Sequence, residues 1–230
     1  MHFTTPNPRG LMKKIVTAII YILAITPDLV NGQQIDFGNA WKEQRFSIFS
    51  SNDYTLNGDS LDIKSKGTVS LLWSFLPPEM WNKKYASWEW AVEKSVPASD
   101  LTQKGGDDRN LALYFIFLPK ELAKVAQDNN VRALLNNPDV RILMYVWGGA
   151  HKLQQIVSSP HLGSRGQSII KQLSGTGTAL EFVDLRLDHK RAFSEDAESL
   201  VGLAVSSDSD DTQTCLLYTS DAADDLLCVD

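Results

Sequence analysis

The chain has 230 residues, of which 43% are hydrophobic and 22% are charged, and its formal net charge is −6. This acidic balance argues against a nucleic-acid partner or an anionic membrane surface, because both attract basic proteins. The length fits one large domain, since all-β sandwiches commonly exceed about 200 residues as a single unit.

The first 32 residues have the pattern of a secretory signal peptide. Basic residues precede an apolar segment, 15–25, that is too short to form a stable membrane span. We expect residues 1–32 to be removed on export, which predicts a periplasmic or secreted protein without a membrane span after signal removal. An N-terminal membrane anchor is the alternative.

Short extended segments follow between residues 34 and 76, and the turn pairs Gly58-Asp59 and Lys66-Gly67 separate them. This spacing predicts a β-meander. Pro77 and Pro78 then interrupt the sheet.

Two strands are predicted on either side of a polar loop. Trp88, Trp90 and Val92 alternate with polar or small residues, so the two indoles should share one core face. Residues 111–118 form a continuous apolar run, which predicts a central strand that is buried on both faces.

After Pro119 the apolar period becomes helical, and two short helical turns are predicted before Pro138. Further strands are predicted at 140–147, 168–173, 180–187 and 200–207, with one helical turn at 188–193. The pattern therefore predicts an all-β fold, a two-layer antiparallel β-sandwich of jelly-roll or concanavalin-like type with a short helical insertion, over residues 33–213.

A joint set of motifs resembles a known family. The motifs are the W-x-W strand at Trp88, K-G-G-D-D from Lys104 followed by an apolar strand, the Tyr145-Val-Trp147 strand, Asp188 four residues before Ala192-Phe193, and D-S-D-D-T from Asp208. They resemble an exported bacterial family catalogued as a domain of unknown function, number three thousand and forty-seven, over about residues 34–213.

The C-terminal segment, residues 214–230, departs in composition and contains both cysteines. It resembles translated sequencing-adapter DNA, so we expect a truncated native C-terminus followed by an artefactual tail. Proteins of the resembled family continue after this point into a final aromatic and acidic strand.

Aspartates stand at the ends of two predicted strands. Asp107 and Asp108 begin one, while Asp208 and Asp210 end another, and antiparallel neighbours place the start of one strand beside the end of the other. These four carboxylates are candidate ligands of a structural Ca²⁺ ion, which takes oxygen ligands in irregular geometry. The alternative is that they only form turns, which aspartate favours through bonds to its own backbone.

Function is predicted less directly than fold. Trp81 lies in a polar connection and is the candidate aromatic platform for an envelope or extracellular glycan. A non-enzymatic glycan-binding protein is therefore the leading hypothesis. One alternative is a structural or protein-binding envelope component, and another is a concanavalin-like polysaccharide hydrolase. Glu89 and Glu93 are the candidate catalytic carboxylates of such a hydrolase, but on a regular strand they stand about 13 Å apart, which is too far for a catalytic pair.

Overall fold

The computed structural model describes residues 33–46, 51–126 and 130–221, and for residues 215–221 it describes the backbone only. The strands are β1 (Lys42–Arg45), β2 (Asp53–Leu56), β3 (Ser60–Lys66), β4 (Val69–Phe75), β5 (Tyr85–Lys94), β6 (Arg109–Leu118), β7 (Arg141–Trp147), β8 (Ile156–Ser159), β9 (Gly163–Gln172), β10 (Gly177–Asp184), β11 (Ser199–Asp208) and β12 (Cys215–Asp221). The helices are α1 (Lys120–Ala126), α2 (Val131–Asn136) and α3 (Leu185–Phe193). The predicted signal peptide lies outside the described residues.

The strands form two sheets, which confirms the predicted β-sandwich class. A seven-stranded sheet has the order β1-β4-β11-β6-β7-β9-β8, and a five-stranded sheet has the order β10-β5-β12-β3-β2. The pairing is antiparallel except between β7 and β9, which run parallel. This exception arises because β8 forms a hairpin with β9 and lies on its far side, so β9 is inserted next to β7.

The predicted β-meander of the N-terminal strands is wrong in its connectivity. The hairpin of β2 and β3 belongs to the five-stranded sheet, whereas β1 and β4 pair in the other sheet. The chain changes sheets between β3 and β4 at Gly67, whose φ of +60° suits a tight turn that few other residues adopt. The predicted strand at 46–49 falls mostly outside the described residues.

The core between the sheets is aromatic. Trp88 and Trp90 of β5 are fully buried and contact Tyr145 and Trp147 of β7, with ring centroids 5.2 and 5.6 Å apart. The period of two in β5 puts both indoles on the same face, as predicted. Burial of each large apolar side chain contributes about 1.5–3 kcal/mol, so these rings hold the two sheets together.

Strand β6 is buried on both faces, as its continuous apolar run predicted. Leu111, Phe115 and Phe117 face the five-stranded sheet, while Ala112 and Ile116 belong to a second cluster on the opposite face. Residues of α1 and α2 pack in that second cluster, so the helical insertion covers part of the outer face of the seven-stranded sheet.

Each of two helices begins at a side-chain cap. The side chain of Asn130 accepts a hydrogen bond from the backbone N–H of Ala133 and starts α2. Asp184 accepts from the N–H groups of Arg186 and Leu187, so β10 ends there and α3 starts earlier than the sequence predicted. None of the helices in the described ranges is long and apolar enough to cross a membrane.

The backbone of residues 215–221 forms β12, which lies between β3 and β5. The segment expected to be an artefactual tail therefore supplies a strand of the five-stranded sheet. The prediction that the segment is artefactual is not tested by the pairing and stays a prediction. Residues 222–230 lie outside the described residues.

We expect deletion of residues 215–230 to destabilise the protein, because it removes a strand that pairs with β3 over seven residues. With a net contribution of about 1 kcal/mol per hydrogen bond, the loss should lower the melting temperature by about 10 °C or more. Thermal unfolding of the full chain, of this deletion and of a control lacking only residues 222–230 measures the effect. Equal melting temperatures in all three would show that β12 contributes nothing to stability.

Candidate ligand-binding site

A cavity of about 480 Å³ opens on the outer face of the seven-stranded sheet, the face turned away from the five-stranded sheet. Its floor consists of aliphatic side chains from β4, β6, β7 and β11, namely Val69, Leu71, Ile116, Ile142, Met144 and Ala204. Leu135 of α2 and residues 160–162 of the β8–β9 loop form its sides. The helical insertion and this loop thus turn a sheet face into a concave site.

One end of the cavity is polar and centres on Arg109. Its Nη1 donates to the carbonyl of Asp107 at 2.8 Å and lies 3.4 Å from Asp107 Oδ2 and 3.2 Å from Asp208 Oδ2. Its Nη2 donates to the Tyr114 hydroxyl at 2.8 Å. Only 13% of the Arg109 side chain is exposed, so the guanidinium is held in one orientation by three neighbours.

Strand register explains why these groups meet. Arg109 begins β6 and pairs directly with Asp208, which ends β11. The expectation that antiparallel pairing would bring the two acidic segments together therefore agrees with the geometry. The guanidinium of Arg109 lies between Asp107 and Asp208, and the sequence pattern did not predict this role for Arg109.

Asp208 is almost completely buried. Burial raises its pKa from the ordinary value of 3.8 to about 8, and the neighbouring carboxylate of Asp210 adds to the increase, while the charge of Arg109 opposes it. The Asp208 Oδ1 atom receives no hydrogen bond from any N–H or O–H group of the described residues. Asp208 is thus a largely neutral carboxyl group at neutral pH, and its proton can be donated to the neighbouring carboxylate of Asp210.

His161 contacts the same carboxylate oxygen of Asp107 that lies near Arg109. Its Nε2 atom is 3.1 Å from Asp107 Oδ2, and 59% of its side chain is exposed. The imidazole belongs to the loop between β8 and β9 and lines the cavity, where it is more exposed than Arg109.

The other two predicted acidic residues, Asp108 and Asp210, form a second group with Asp211. Asp108, Asp210 and Asp211 each place one carboxylate oxygen within 4.8 Å of the others. Asp108 is fully buried and accepts hydrogen bonds from the N–H groups of Asp211 and Thr212 and from the Thr212 hydroxyl. These bonds join residues 103 and 104 positions apart in the sequence, so Asp108 fixes the chain after β11 instead of bonding to its own backbone.

The structure divides the four predicted calcium ligands between two groups. Asp107 and Asp208 contact Arg109, whereas Asp108 and Asp210 lie with Asp211. The second group offers the oxygen atoms that Ca²⁺ accepts, although Asp108 already accepts three hydrogen bonds. A structural Ca²⁺ ion stays a prediction, with Asp211 as an additional candidate ligand.

Trp81 does not line the cavity. It is half buried, its indole N–H donates to the carbonyl of Leu76 at 3.0 Å, and its ring packs against both core clusters. Trp81 is therefore partly occupied by packing, and sugar binding at Trp81 stays a prediction.

Glu89 and Glu93 lie far from this cavity. They alternate with the buried tryptophans of β5 and therefore belong to the outer face of the five-stranded sheet, on the other side of the sandwich. The residues that sequence reasoning missed are Arg109, Tyr114 and His161. Arg109 directly follows the two aspartates, which was the one local signal that a charge partner was present.

The chain was compared with known families and structures. The family model described as "Protein of unknown function (DUF3047)" matches residues 39–217. No curated protein matches the chain. Among solved structures, the xyloglucanase domain of NopAA, a type three effector from Sinorhizobium fredii in complex with cellobiose, is 8% identical, with a TM-score of 0.44 over 79% of this chain and 90% of that chain.

The raised pKa of Asp208 predicts a pH-dependent stability. A carboxyl whose folded-state pKa is raised from 3.8 to about 8 stabilises the fold fully below pH 3.8, and this contribution is lost as the pH rises through about 8. Between these limits Asp208 should lower the free energy of unfolding by up to about 1.4 kcal/mol per pH unit. Asp208→Asn should lack this slope.

Urea unfolding of the wild type and of Asp208→Asn, repeated from about pH 5 to pH 8, measures the slope. Asp196→Asn is the matched control, because the Asp196 side chain is 88% exposed and remote from the cavity. Equal slopes in the wild type and Asp208→Asn would show that Asp208 titrates normally.

The predicted binding of Ca²⁺ can be tested by its effect on the stability of the fold. If Asp108, Asp210 and Asp211 hold Ca²⁺, the ion should stabilise the fold by about 2.7 kcal/mol at a hundredfold excess over its Kd, and Mg²⁺ should do less because it requires stricter octahedral geometry. Thermal melts in chelator, Mg²⁺ and Ca²⁺ measure this, and Asp210→Asn should remove the difference. Identical midpoints in chelator and Ca²⁺ would leave the three aspartates as turn formers.

Proposed function

The chain belongs to the family described as protein of unknown function (DUF3047), and we propose that it binds a glycan in the cavity on the outer face of its seven-stranded sheet. One observation carries this proposal: an aliphatic cavity ends in a fixed group of carboxyl, guanidinium, phenol and imidazole side chains. Apolar walls with a few fixed polar groups are typical of small-molecule sites, and a volume of about 480 Å³ is within their usual range.

Sugars suit this combination of surfaces. A pyranose has C–H groups that can pack against Ile116, Met144 and Leu71, and hydroxyl groups that both donate and accept hydrogen bonds. The polar end offers acceptors on Asp107 and Asp208 and donors on Arg109 and Tyr114. Both the C–H groups and the hydroxyl groups of a saccharide would therefore have partners in the cavity.

The polar end is also held in place before a ligand arrives. Arg109 is fixed by Asp107, Asp208 and Tyr114, so binding does not have to order its long side chain. Ordering such a side chain costs about 0.5–1.5 kcal/mol, which a preorganised site avoids.

The proposed location of the protein is consistent with this ligand. An exported protein, as residues 1–32 predict, meets envelope or extracellular polysaccharides directly.

Substitutions at the polar end should weaken glycan binding. Tyr114→Phe removes one hydroxyl and His161→Ala removes one exposed imidazole, and each should raise Kd by about 3- to 10-fold, since a hydrogen bond contributes about 0.5–1.5 kcal/mol. A glycan array first identifies a bound oligosaccharide, and isothermal titration calorimetry then measures its Kd with each variant.

The matched control is Leu180→Ser, which changes a side chain that is 73% exposed on β10 of the five-stranded sheet. It should leave Kd unchanged. If it weakens binding as much as His161→Ala does, the glycan binds elsewhere. If no oligosaccharide binds, the protein has a structural or protein-binding role instead.

The alternative of a polysaccharide hydrolase is tested with the same material. Glu89 lies on the opposite side of the sandwich from the cavity, so Glu89→Gln should change neither binding nor any product release if the cavity is the active site. Release of reducing ends that Glu89→Gln abolishes would instead place an active site on the outer face of the five-stranded sheet.

A further inference from the structure

The cavity has a polar end and an aliphatic end. Its charged side chains belong to the start of β6, the end of β11 and the β8–β9 loop, whereas Ile116 of β6 pairs with Ile142 of β7 at the aliphatic end. Ile116 lies seven positions beyond Arg109, which is about 20 Å on a regular strand. From this division we propose that the ligand is a saccharide with an attached alkyl or acyl chain, an inference that rests on the proposed glycan-binding function.

The fold leaves apolar surface uncovered in the cavity. Val69 of β4, Leu135 of α2 and Leu162 of the β8–β9 loop line it, and each of these side chains is only half buried. They surround a floor that is itself aliphatic. Covering apolar surface is favourable because it is removed from water, and a hydrocarbon chain can cover all three side chains without bringing a polar group to them.

Sugar rings alone do not suit the aliphatic part. Hydroxyl groups project from all around a pyranose ring, and each needs a hydrogen-bond partner when it leaves water. Apart from the charged groups and Tyr114, the lining side chains of the described residues offer two hydroxyl groups. Ser159 already accepts from two backbone N–H groups of its own loop, and Ser168 Oγ lies 3.9 Å from the Met144 sulfur. A further sugar ring would therefore lose hydrogen bonds that a hydrocarbon chain does not make.

The polar end favours a saccharide head over the carboxylate of a fatty acid. Arg109 Nη1 already lies 3.4 Å from Asp107 Oδ2 and 3.2 Å from Asp208 Oδ2. A further carboxylate beside Arg109 would lie close to these carboxyl groups, and like charges repel. A sugar hydroxyl can instead donate to Asp107 and accept from the Tyr114 hydroxyl. The head then lies at the start of β6, and its chain extends toward Ile116.

A homologous series of ligands tests the inference. Methyl, butyl, hexyl and octyl β-glucosides are titrated calorimetrically, each below the concentration at which it forms micelles. Each methylene group that enters the cavity should lower Kd about 3- to 4-fold, because it is transferred from water to apolar surroundings. Kd should therefore fall about 100-fold from the butyl to the octyl glucoside, with a single molecule bound per chain.

Two kinds of variant separate the chain from the head. Leu162→Ser makes one wall of the cavity polar and should weaken the dependence of Kd on chain length, and Leu135→Ser on α2 should do the same from another element. Tyr114→Phe removes a hydroxyl from the polar end and should raise the Kd of every glucoside by the same factor. Leu180→Ser, on the outer face of the five-stranded sheet, is the matched control and should change neither quantity. Circular dichroism confirms that each variant is folded.

The outcomes separate the inference from the function on which it rests. Equal Kd values for the methyl and octyl glucosides would overturn the inference and leave glycan binding intact. A dependence on chain length that neither Leu162→Ser nor Leu135→Ser weakens would place the alkyl chain elsewhere and also overturn it. If octanol binds as tightly as octyl glucoside, the sugar contributes nothing, and both the inference and glycan binding are wrong. Absence of binding by every glucoside and oligosaccharide would likewise overturn both.

Discussion

The contact between the Arg109 guanidinium and the carboxyl group of Asp208 is the interaction on which the candidate site depends. A guanidinium with 13% exposure is stable in a partly dry environment only when carboxylates and hydrogen-bond acceptors surround it. Asp208, Asp107 and Tyr114 supply these partners, and the pairing of β6 with β11 sets Arg109 opposite Asp208. The polar end of the cavity is therefore positioned by strand register, which is more rigid than a loop.

Strand β6 links this site to the core. One face of β6 packs against the aromatic layer that holds the sheets together, and the other provides Tyr114 and Ile116 to the cavity. The strand cannot shift by one residue without exchanging these two sets of side chains. Packing of Phe115 in the core thus fixes the orientation of Tyr114 in the site.

The sequence predicted those features that depend on local pattern. The alternation of residues predicted that Trp88 and Trp90 lie in the core, and the apolar run predicted a strand that is buried on both faces. Antiparallel pairing of strands predicted that Asp107 lies near Asp208. The parallel pairing of β7 and β9 was not predictable, because it depends on which strands become neighbours. For the same reason Arg109 was overlooked, since its role appears only when Asp208, distant in the sequence, pairs opposite to it.

The central claim is that ligand binds on the outer face of the seven-stranded sheet. Methyl NMR spectra recorded during titration with a bound oligosaccharide test this claim most directly. Binding in the cavity should change the chemical shifts of Met144, Ile116 and Ile142 on the cavity floor and leave that of Leu180 on the five-stranded sheet unchanged. Changes at Leu180, with the three floor methyls unaffected, would contradict it.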